Sequence, residues 1–270
     1  MFSDLSFTLA GNQLRVCISK RGFSCGLSLG ASVGNDLRFD NNVYRARRTV
    51  RDLCLCNPFD LFGTFTLDES KRDRFDLAEF KRTFSAWIKA YNRYHGCDIK
   101  YVLIPERHKN GAWHMHGVFM GIPAAVLIPF SRGKHPKKLV DGGFLNWEAY
   151  EKKFGFCSFG KIRDQAAVAA YVSAYITKGI TPESLSKGEH LYLASKGLSR
   201  PVSCVVKDVR CNSDPVSLGF FENDFCFMKS FLLDDLSGLS DLCPEFDVSG
   251  IVENLRQCRD DAARFRTRGV

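Results

Sequence analysis

The chain has 270 residues, of which 45% are hydrophobic and 25% charged, as in an ordinary globular protein with a sizeable core. No stretch approaches the roughly 20 consecutive apolar residues of a transmembrane helix, so the composition excludes a helical membrane-spanning protein. Lys and Arg outnumber Asp and Glu by 38 to 30, and the formal net charge of +8 favours a polyanionic partner such as nucleic acid.

The N-terminus and the cysteines indicate the compartment. The first residues, MFSDLSFTLAGNQLRVC, lack a basic start followed by an apolar stretch, which predicts that there is no secretory signal. The 11 cysteines are an odd number and form no CxxC pair, which favours the reducing cytosol over a disulfide framework. We therefore expect a cytoplasmic protein.

The sequence predicts three segments. Residues 1–43 favour an N-terminal accessory segment of short strands with Gly-rich turns, as in GFSCGLSLGASVGND. Residues 44–205 form the patterned core of the chain. Residues 206–270 form a less patterned C-terminal segment to which no role is assigned.

The core begins with a strand and a helix. Residues 62–67 are apolar, aromatic and β-branched, which predicts a buried strand. Asp76 and Glu79 then form a capping box ahead of LAEFKRTFSAWIKAYNRYH. The large apolar side chains of this stretch recur at helical spacing and predict one packed helix face.

Further strands and a second helix follow. Apolar residues on both sides of Asn110-Gly111 predict a β-hairpin, and residues 155–162 predict another strand. Asp164 caps a predicted helix, QAAVAAYVSAYITK, which stops at Gly179. This order predicts an α+β fold, with a central antiparallel sheet, helices packed on one side of it, and N- and C-terminal additions.

Two histidines in the second hairpin strand, AWHMHGVFMG, are candidate metal ligands. His114 and His116 lie one residue apart, and on a strand this spacing turns both imidazoles to the same side. A pair of buried core histidines would explain the pattern. Half of a metal site would also explain it, and such a site needs a third ligand.

The hairpin register decides which residue faces His114. With a two-residue turn, Arg107 faces His114 and Glu106 points to the other side of the sheet. With a three-residue loop ending at Gly111, Glu106 lies across from His114. Two imidazoles and a carboxylate then share one face, which is typical of catalytic metal sites. The sequence leaves both registers open, and His108, which has the same parity, is the reserve ligand.

The second helix carries candidate nucleophiles. Tyr171, Tyr175 and Lys178 recur at a spacing that lines one helix face. Two half-buried tyrosines and a lysine near a helix C-terminus, where a cation is favoured in any case, are one explanation. Catalytic residues are the other.

Together these patterns resemble the HUH endonucleases, and most of all the rolling-circle replication initiators (Rep proteins) of small circular single-stranded DNA phages and plasmids. Phe65-Thr-Leu67 is similar to the first family motif and His114-Met115-His116 to the second, here with Met where an apolar residue is usual. Tyr171–Lys178 is similar to the third motif, and His190–Pro201 resembles a stretch that follows it in phage-type Reps. The similarity runs from about Thr49 to Pro201 and leaves both chain ends uncovered.

The resemblance implies an HUH/RRM-like palm that cleaves and rejoins single-stranded DNA at an origin, in a bacterial host cell. A tyrosine would attack a phosphodiester and leave a 5′-phosphotyrosine link and a free 3′-OH that primes replication. A divalent cation, Mg²⁺ or Mn²⁺, on His114, His116 and Glu106 would bind the phosphate oxygens, although this ligand set also suits Zn²⁺. Lys178 would stabilise the phosphate or the departing oxygen.

The YxxK spacing of the family favours Tyr175 as the primary nucleophile, because Lys178 follows it by three positions. Tyr171 is either a second nucleophile, as in two-tyrosine phage initiators, or a packing or base-stacking residue. The single strand requires a basic, aromatic groove. The candidate phosphate contacts are the basic residues of three stretches, Arg45, Arg47, Arg48, Arg51, Arg132, Lys134, Lys137, Lys138, Lys161 and Arg163.

The sequence contains no GxxxxGK[ST] phosphate loop, so we expect a separate host helicase and polymerase as partners besides the origin DNA. Three rival functions remain. The first is another HUH enzyme, a transposase or relaxase. The second is a metal-dependent hydrolase with a water nucleophile and structural tyrosines. The third is a non-enzymatic nucleic-acid-binding module with two core histidines.

Overall fold

A computed structural model of the protein describes residues 2–20, 35–177, 190–211, 214–223, 226–237, 239 and 247–267. The chain divides into two compact units, one of residues 34–198 and one formed by residues 1–33 together with residues 199–270. The segment limits predicted at residues 44 and 205 fall within a helix and a strand, respectively. Among the described helices, none is long and apolar enough to cross a membrane.

The described residues form strands and helices in mixed order. The strands are β1 (Phe2–Ala10), β2 (Gln13–Ser19), β3 (Leu61–Thr66), β4 (Lys100–Arg107), β5 (Trp113–Met120), β6 (Leu127–Pro129), β7 (Leu145–Trp147), β8 (Cys157–Lys161), β9 (Leu193–Ala194), β10 (Val202–Arg210), β11 (Phe221–Glu222) and β12 (Cys226–Leu232). The helices are α1 (Asn35–Cys56), α2 (Leu77–His95), α3 (Lys137–Asp141), α4 (Glu148–Lys153), α5 (Gln165–Ala174) and α6 (Val248–Thr267).

The unit of residues 34–198 is built on an antiparallel sheet with the strand order β6-β7-β8-β3-β5-β4-β9. Strand β5, which carries the two histidines, is central and pairs with β3 on one side and with β4 on the other. The predicted order of strand, helix, hairpin, strand and helix is therefore confirmed, and so is the α+β class.

Helix α2 forms where the sequence predicts it. The Asp76 side chain accepts a hydrogen bond from the Glu79 backbone N–H at 2.8 Å, which satisfies one of the unpaired donors at the helix start. Gly96 ends the helix in the left-handed conformation with φ 61°. Between these caps, Phe80, Phe84 and other apolar residues of the predicted stripe are buried.

Helices lie on both faces of this sheet, so the prediction that they occupy one side is wrong. Helices α2 and α4 belong to the core around Phe65, Met115 and Phe119. Helices α1 and α5 belong to the core around Ile104 and Val118, whose side chains point to the opposite face. The reason is visible in β4, where five consecutive residues are buried without alternation, as in a strand covered on both faces.

The sequence does not predict helix α1, and residues 35–43 are helical rather than part of a strand-and-turn segment. The apolar residues of α1 do recur at helical spacing, since Ala46, Val50 and Leu53 are buried against the sheet. Arginines and asparagines fill most of the remaining positions and hide the stripe in the sequence.

The other unit contains a five-stranded antiparallel sheet in the order β10-β1-β2-β12-β11. Its core joins sheet residues such as Phe7 and Val16 to Val252 and Leu255 of α6. The two ends of the chain thus contribute strands to the same sheet.

Candidate active site

The hairpin between β4 and β5 has the three-residue loop. The backbone N–H of His108 donates to the Ala112 carbonyl at 2.9 Å, and the N–H of Gly111 donates to the His108 carbonyl at 2.8 Å. Gly111 has φ 86°, a conformation that glycine adopts without steric cost. In this register Glu106 pairs with His114, so the carboxylate and the imidazole lie on the same face of the sheet.

Two threonines of β3 orient the two histidines. The Thr66 hydroxyl lies 2.9 Å from Nδ1 of His114, and the Thr64 hydroxyl lies 3.1 Å from Nδ1 of His116. Each threonine is the direct cross-strand partner of its histidine. Because both contacts use Nδ1, the Nε2 atoms lie on the far sides of the rings, and Nε2 of His116 is 2.7 Å from a Glu106 carboxylate oxygen.

His108, the reserve ligand, contacts His114 rather than lying apart on the hairpin end. The two imidazole rings stack with centroids 3.5 Å apart and an interplanar angle of 22°. Burial, followed by the nearby His108, His116 and Arg74, lowers the pKa of His114 to about 4. His114 is therefore neutral at physiological pH, the protonation state in which an imidazole binds a metal.

The tyrosines lie against the histidines. The Tyr175 ring stacks on the His116 ring, with centroids 4.6 Å apart and an interplanar angle of 20°. The hydroxyls of Tyr171 and Tyr175 are 2.6 Å apart, and Tyr171 also meets the ring of Phe62 edge-on. Burial and the hydrogen bond with Tyr171 raise the pKa of Tyr175 above its ordinary value, with a smaller contribution from Glu106.

The two tyrosines differ in exposure and in backbone. Tyr171 lies within α5 and is 50% exposed, whereas Tyr175 is 8% exposed and begins the 3₁₀ turn Tyr175–Thr177. The predicted cap of this helix is present, because the Asp164 side chain accepts a hydrogen bond from the Ala167 N–H at 2.9 Å. Lys178 and the predicted helix end at Gly179 lie outside the described residues.

The predicted basic residues occupy three places. Arg45, Arg47 and Arg48 are exposed on α1, where Arg51 is half-buried. Lys161 and Arg163 are exposed at the far end of β8, since Lys161 pairs with Leu61 while His114 pairs with Thr66 at the opposite end of β3. The structure thus does not bring Lys161 to the histidines. The exposed residues Arg132, Lys134, Lys137 and Lys138 follow β6.

The donor set of the site suits a divalent cation in its chemistry, with two imidazoles, an adjacent carboxylate and hydroxyl partners on both Nδ1 atoms. Within the described ranges, no group of three or more His, Cys, Asp or Glu side chains stands in a metal-binding arrangement. The Glu106 carboxylate instead contacts His116, and His114 stacks on His108.

Sequence reasoning assigns no role to Thr64 or Phe62, and it includes Thr66 only as part of a motif. The available signal is parity, because Phe62, Thr64 and Thr66 occupy alternate positions and therefore share one face of β3. That face becomes the histidine face only through the register between β3 and β5, which is a non-local pairing.

Comparison with known proteins places this unit in a family. Residues 60–180 match the family model of the Replication-associated protein ORF2, and this range, less than half of the chain, includes the histidines, Glu106 and both tyrosines. No curated protein and no solved structure matches the chain. Through residues 60–180, the protein belongs to the rolling-circle replication initiators, the Rep proteins.

Proposed function

We propose that residues 34–198 nick and rejoin single-stranded DNA at a replication origin through a covalent link between Tyr175 and a 5′-phosphate. One observation carries the proposal: the Tyr175 ring stacks on His116 at 4.6 Å, in a domain of a replication-associated family. A phenol oxygen therefore lies beside two imidazoles and a carboxylate, a combination suited to phosphoryl transfer.

We further propose that His114, His116 and Glu106 hold Mg²⁺ or Mn²⁺. The orientation of both imidazoles by Thr64 and Thr66 supports this, because metal-binding histidines usually have a partner on the second ring nitrogen. When bound, such a cation would bind non-bridging phosphate oxygens and offset the charge that develops there.

The nicking step transfers one phosphoryl group. The Tyr175 oxygen attacks phosphorus, the bond from phosphorus to the 3′-oxygen breaks, and the phenol proton ends on that 3′-oxygen. Burial raises the pKa of Tyr175, so the phenol stays protonated near neutral pH and must lose its proton as it attacks. The Tyr171 hydroxyl, 2.6 Å away, is placed to accept it. Attack of a 3′-OH on the phosphotyrosine reverses the step and rejoins the strand.

Two roles fit Tyr171, and both rest on its 50% exposure. As a second nucleophile it would attack in alternate rounds, whereas as a proton acceptor or stacking residue it would assist Tyr175 only. Lys178, three residues after Tyr175, is proposed to stabilise the phosphate.

The proposed partners are single-stranded origin DNA and a host helicase and polymerase in a bacterial cytoplasm. The family match supports DNA as the partner, and the absence of a GxxxxGK[ST] loop from the sequence supports a separate helicase. The same match favours an initiator over an HUH transposase or relaxase.

The test is covalent capture. The protein is incubated with Mn²⁺ and a random-sequence pool of single-stranded DNA labelled at the 3′ end, because the labelled fragment then stays on the tyrosine. Adducts are resolved on a denaturing gel. We expect adducts with the wild type and with Tyr171→Phe, and none with Tyr175→Phe or with EDTA. Tyr94→Phe, at an 86% exposed tyrosine of α2, is the matched control and should form adducts normally.

Each other result points to a different function. Adducts that persist in Tyr175→Phe and vanish in Tyr171→Phe would reassign the nucleophile. Cleavage without an adduct would indicate the metal-dependent hydrolase with a water nucleophile. Binding without cleavage would indicate the nucleic-acid-binding module, in which the two histidines are core residues.

A further inference from the structure

The histidine face of the sheet extends to Phe156, an aromatic side chain that the proposed chemistry does not use. The Phe156 carbonyl accepts a hydrogen bond from the backbone N–H of Thr66 at 2.8 Å, just before β8. The next residue, Cys157, faces the α2 core beside Phe65, so Phe156 points to the opposite face, which carries His114. Phe156 thus lies two strands from His114, about 10 Å at the usual strand spacing.

Phe156 presents an aromatic ring to solvent on top of a buried one. Its side chain is 40% exposed, and its ring stacks on Phe130, which is 6% exposed, with centroids 5.8 Å apart and an interplanar angle of 25°. Phe130 is in turn contacted by His135, with centroids 4.8 Å apart. The buried ring supports the exposed ring, which remains open to a flat, apolar partner.

The segment next to this aromatic pair is basic. Residues 131–138 directly follow Phe130, and Arg132, with an 88% exposed side chain, Lys134, Lys137 and Lys138 all reach solvent. A surface cavity of about 640 Å³ is lined by Arg132, Lys137 and His135 among others. The acidic group at this cavity is Asp141, 3.8 Å from Arg132, so positive charge prevails.

We propose that Phe156, supported by Phe130, stacks against an unpaired base of the DNA strand that is cleaved at the histidines, while the basic segment of residues 131–138 binds the neighbouring phosphates. The proposal rests on the proposed function and identifies the part of the surface that selects single strands. Every base has a π-face that can stack on an aromatic ring, whereas pairing and stacking within a duplex bury that face. Phosphates next to the stacked base then meet Lys and Arg.

Equilibrium binding tests the proposal without cleavage. The full chain is titrated in EDTA against a fluorescein-labelled oligothymidylate of about 16 nucleotides, the upper site size of a single domain of this kind. We expect Phe156→Ala and Phe156→Leu to bind about 5- to 100-fold more weakly, the range that corresponds to the loss of one stacked base. Phe156→Trp should bind at least as well as the wild type.

The controls separate stacking from folding. Leu keeps an apolar side chain on Phe130, so the Leu variant tests stacking even if the Ala variant unfolds, and circular dichroism checks both. Tyr94→Ala removes an 86% exposed aromatic from α2, on the opposite face of the sheet, and should leave binding unchanged. Replacing Arg132 and Lys137 with Ala should reduce the salt dependence of binding by about one unit of slope for each phosphate that is no longer bound.

Two results would overturn the proposal. One is wild-type affinity in Phe156→Leu, and the other is equal affinity of the wild type for a hairpin duplex and for the oligothymidylate. Failure of the nicking chemistry is distinguishable, since it would appear as Phe156-dependent binding with no covalent adduct in Mn²⁺. Adducts with the wild type, combined with wild-type binding by Phe156→Leu, would remove the stacking surface and leave the nicking chemistry intact.

Discussion

The hydroxyl of Thr66 lies 2.9 Å from Nδ1 of His114, across the antiparallel pair of β3 and β5. This contact sets the plane of the imidazole and determines which ring nitrogen remains for a ligand. The neighbouring pair, Thr64 and His116, repeats the arrangement at 3.1 Å. The candidate site is therefore held by a strand that contributes no ligand itself.

Replacement of Thr66 by Val should weaken metal use without unfolding the protein. Val has nearly the same shape but offers no hydrogen-bonding group to Nδ1, and loss of such an outer partner typically costs about 10- to 100-fold in metal affinity or activity. The Mn²⁺ concentration for half-maximal adduct formation measures the effect. Thr66→Ser should restore it, whereas Thr83→Val on α2 should leave it unchanged; equal Mn²⁺ dependence in Thr66→Val and wild type would contradict the orienting role.

Asp164→Ala should destabilise the helix that carries Tyr171. The Asp164 carboxylate caps α5 through the Ala167 N–H, and loss of an N-cap costs about 1 kcal/mol of folding stability. Urea denaturation measures this loss. Asp76→Ala removes the same kind of cap from α2 and should cost a similar amount of stability. We expect slower adduct formation in Asp164→Ala only, and equal rates in the two variants would show that α5 order does not limit the reaction.

Metal-free protein should lose stability between about pH 6.5 and pH 4 because of His114. The folded pKa of His114 is lowered to about 4, below the ordinary value of 6.5. As pH falls through 6.5, the unfolded chain therefore takes up a proton that the folded protein does not, and unfolding becomes more favourable. Above pH 6.5 both states are neutral and this contribution is constant. Urea midpoints in EDTA from pH 7.5 to 4.5 measure the slope.

The slope should be smaller in His114→Gln, which has no titratable ring at this position. His95→Gln, at an exposed histidine of α2, is the matched control and should follow the wild type. An unchanged slope in His114→Gln would assign the pH dependence to other groups.

Gly111→Ala should destabilise the hairpin for a conformational reason. Gly111 has φ 86°, and a left-handed conformation costs a residue with a β-carbon about 1–2 kcal/mol. Steric crowding adds little, since an added Cβ would lie 3.6 Å from its nearest neighbour atom, on the Phe75 ring. Gly111→Asn should cost less because Asn tolerates this conformation. Equal urea midpoints for the Ala variant and the wild type would show that the loop adopts another turn.

The sequence predicts local structure well where a signal is local. Helix α2 begins and ends as predicted, because the Asp76 cap, the apolar stripe and Gly96 all lie within one stretch. Helix α1 escapes prediction because its apolar positions are separated by arginines and asparagines, and only packing against the sheet reveals which face is buried. The two-sided covering of the sheet is likewise a consequence of tertiary packing.

The site could be predicted only in part for the same reason. The spacing of His114 and His116 and a possible Glu106 partner follow from strand geometry, and the structure has the register that brings Glu106 across from His114. The threonine partners and the stacking of Tyr175 on His116 depend on contacts between residues 52 and 59 positions apart, respectively. A single sequence contains no local signal for such pairs.

The length of the hairpin loop has a consequence for how this protein can vary. Surface turns generally accept insertions and deletions, since they alter little beyond themselves. Here the turn of residues 109–111 fixes which side chain stands opposite His114. Loss of a single loop residue would exchange the Glu106 carboxylate for the guanidinium of Arg107 and reverse the sign of charge beside the histidines. A turn far smaller than any domain would thereby convert a cation-binding surface into one that repels cations.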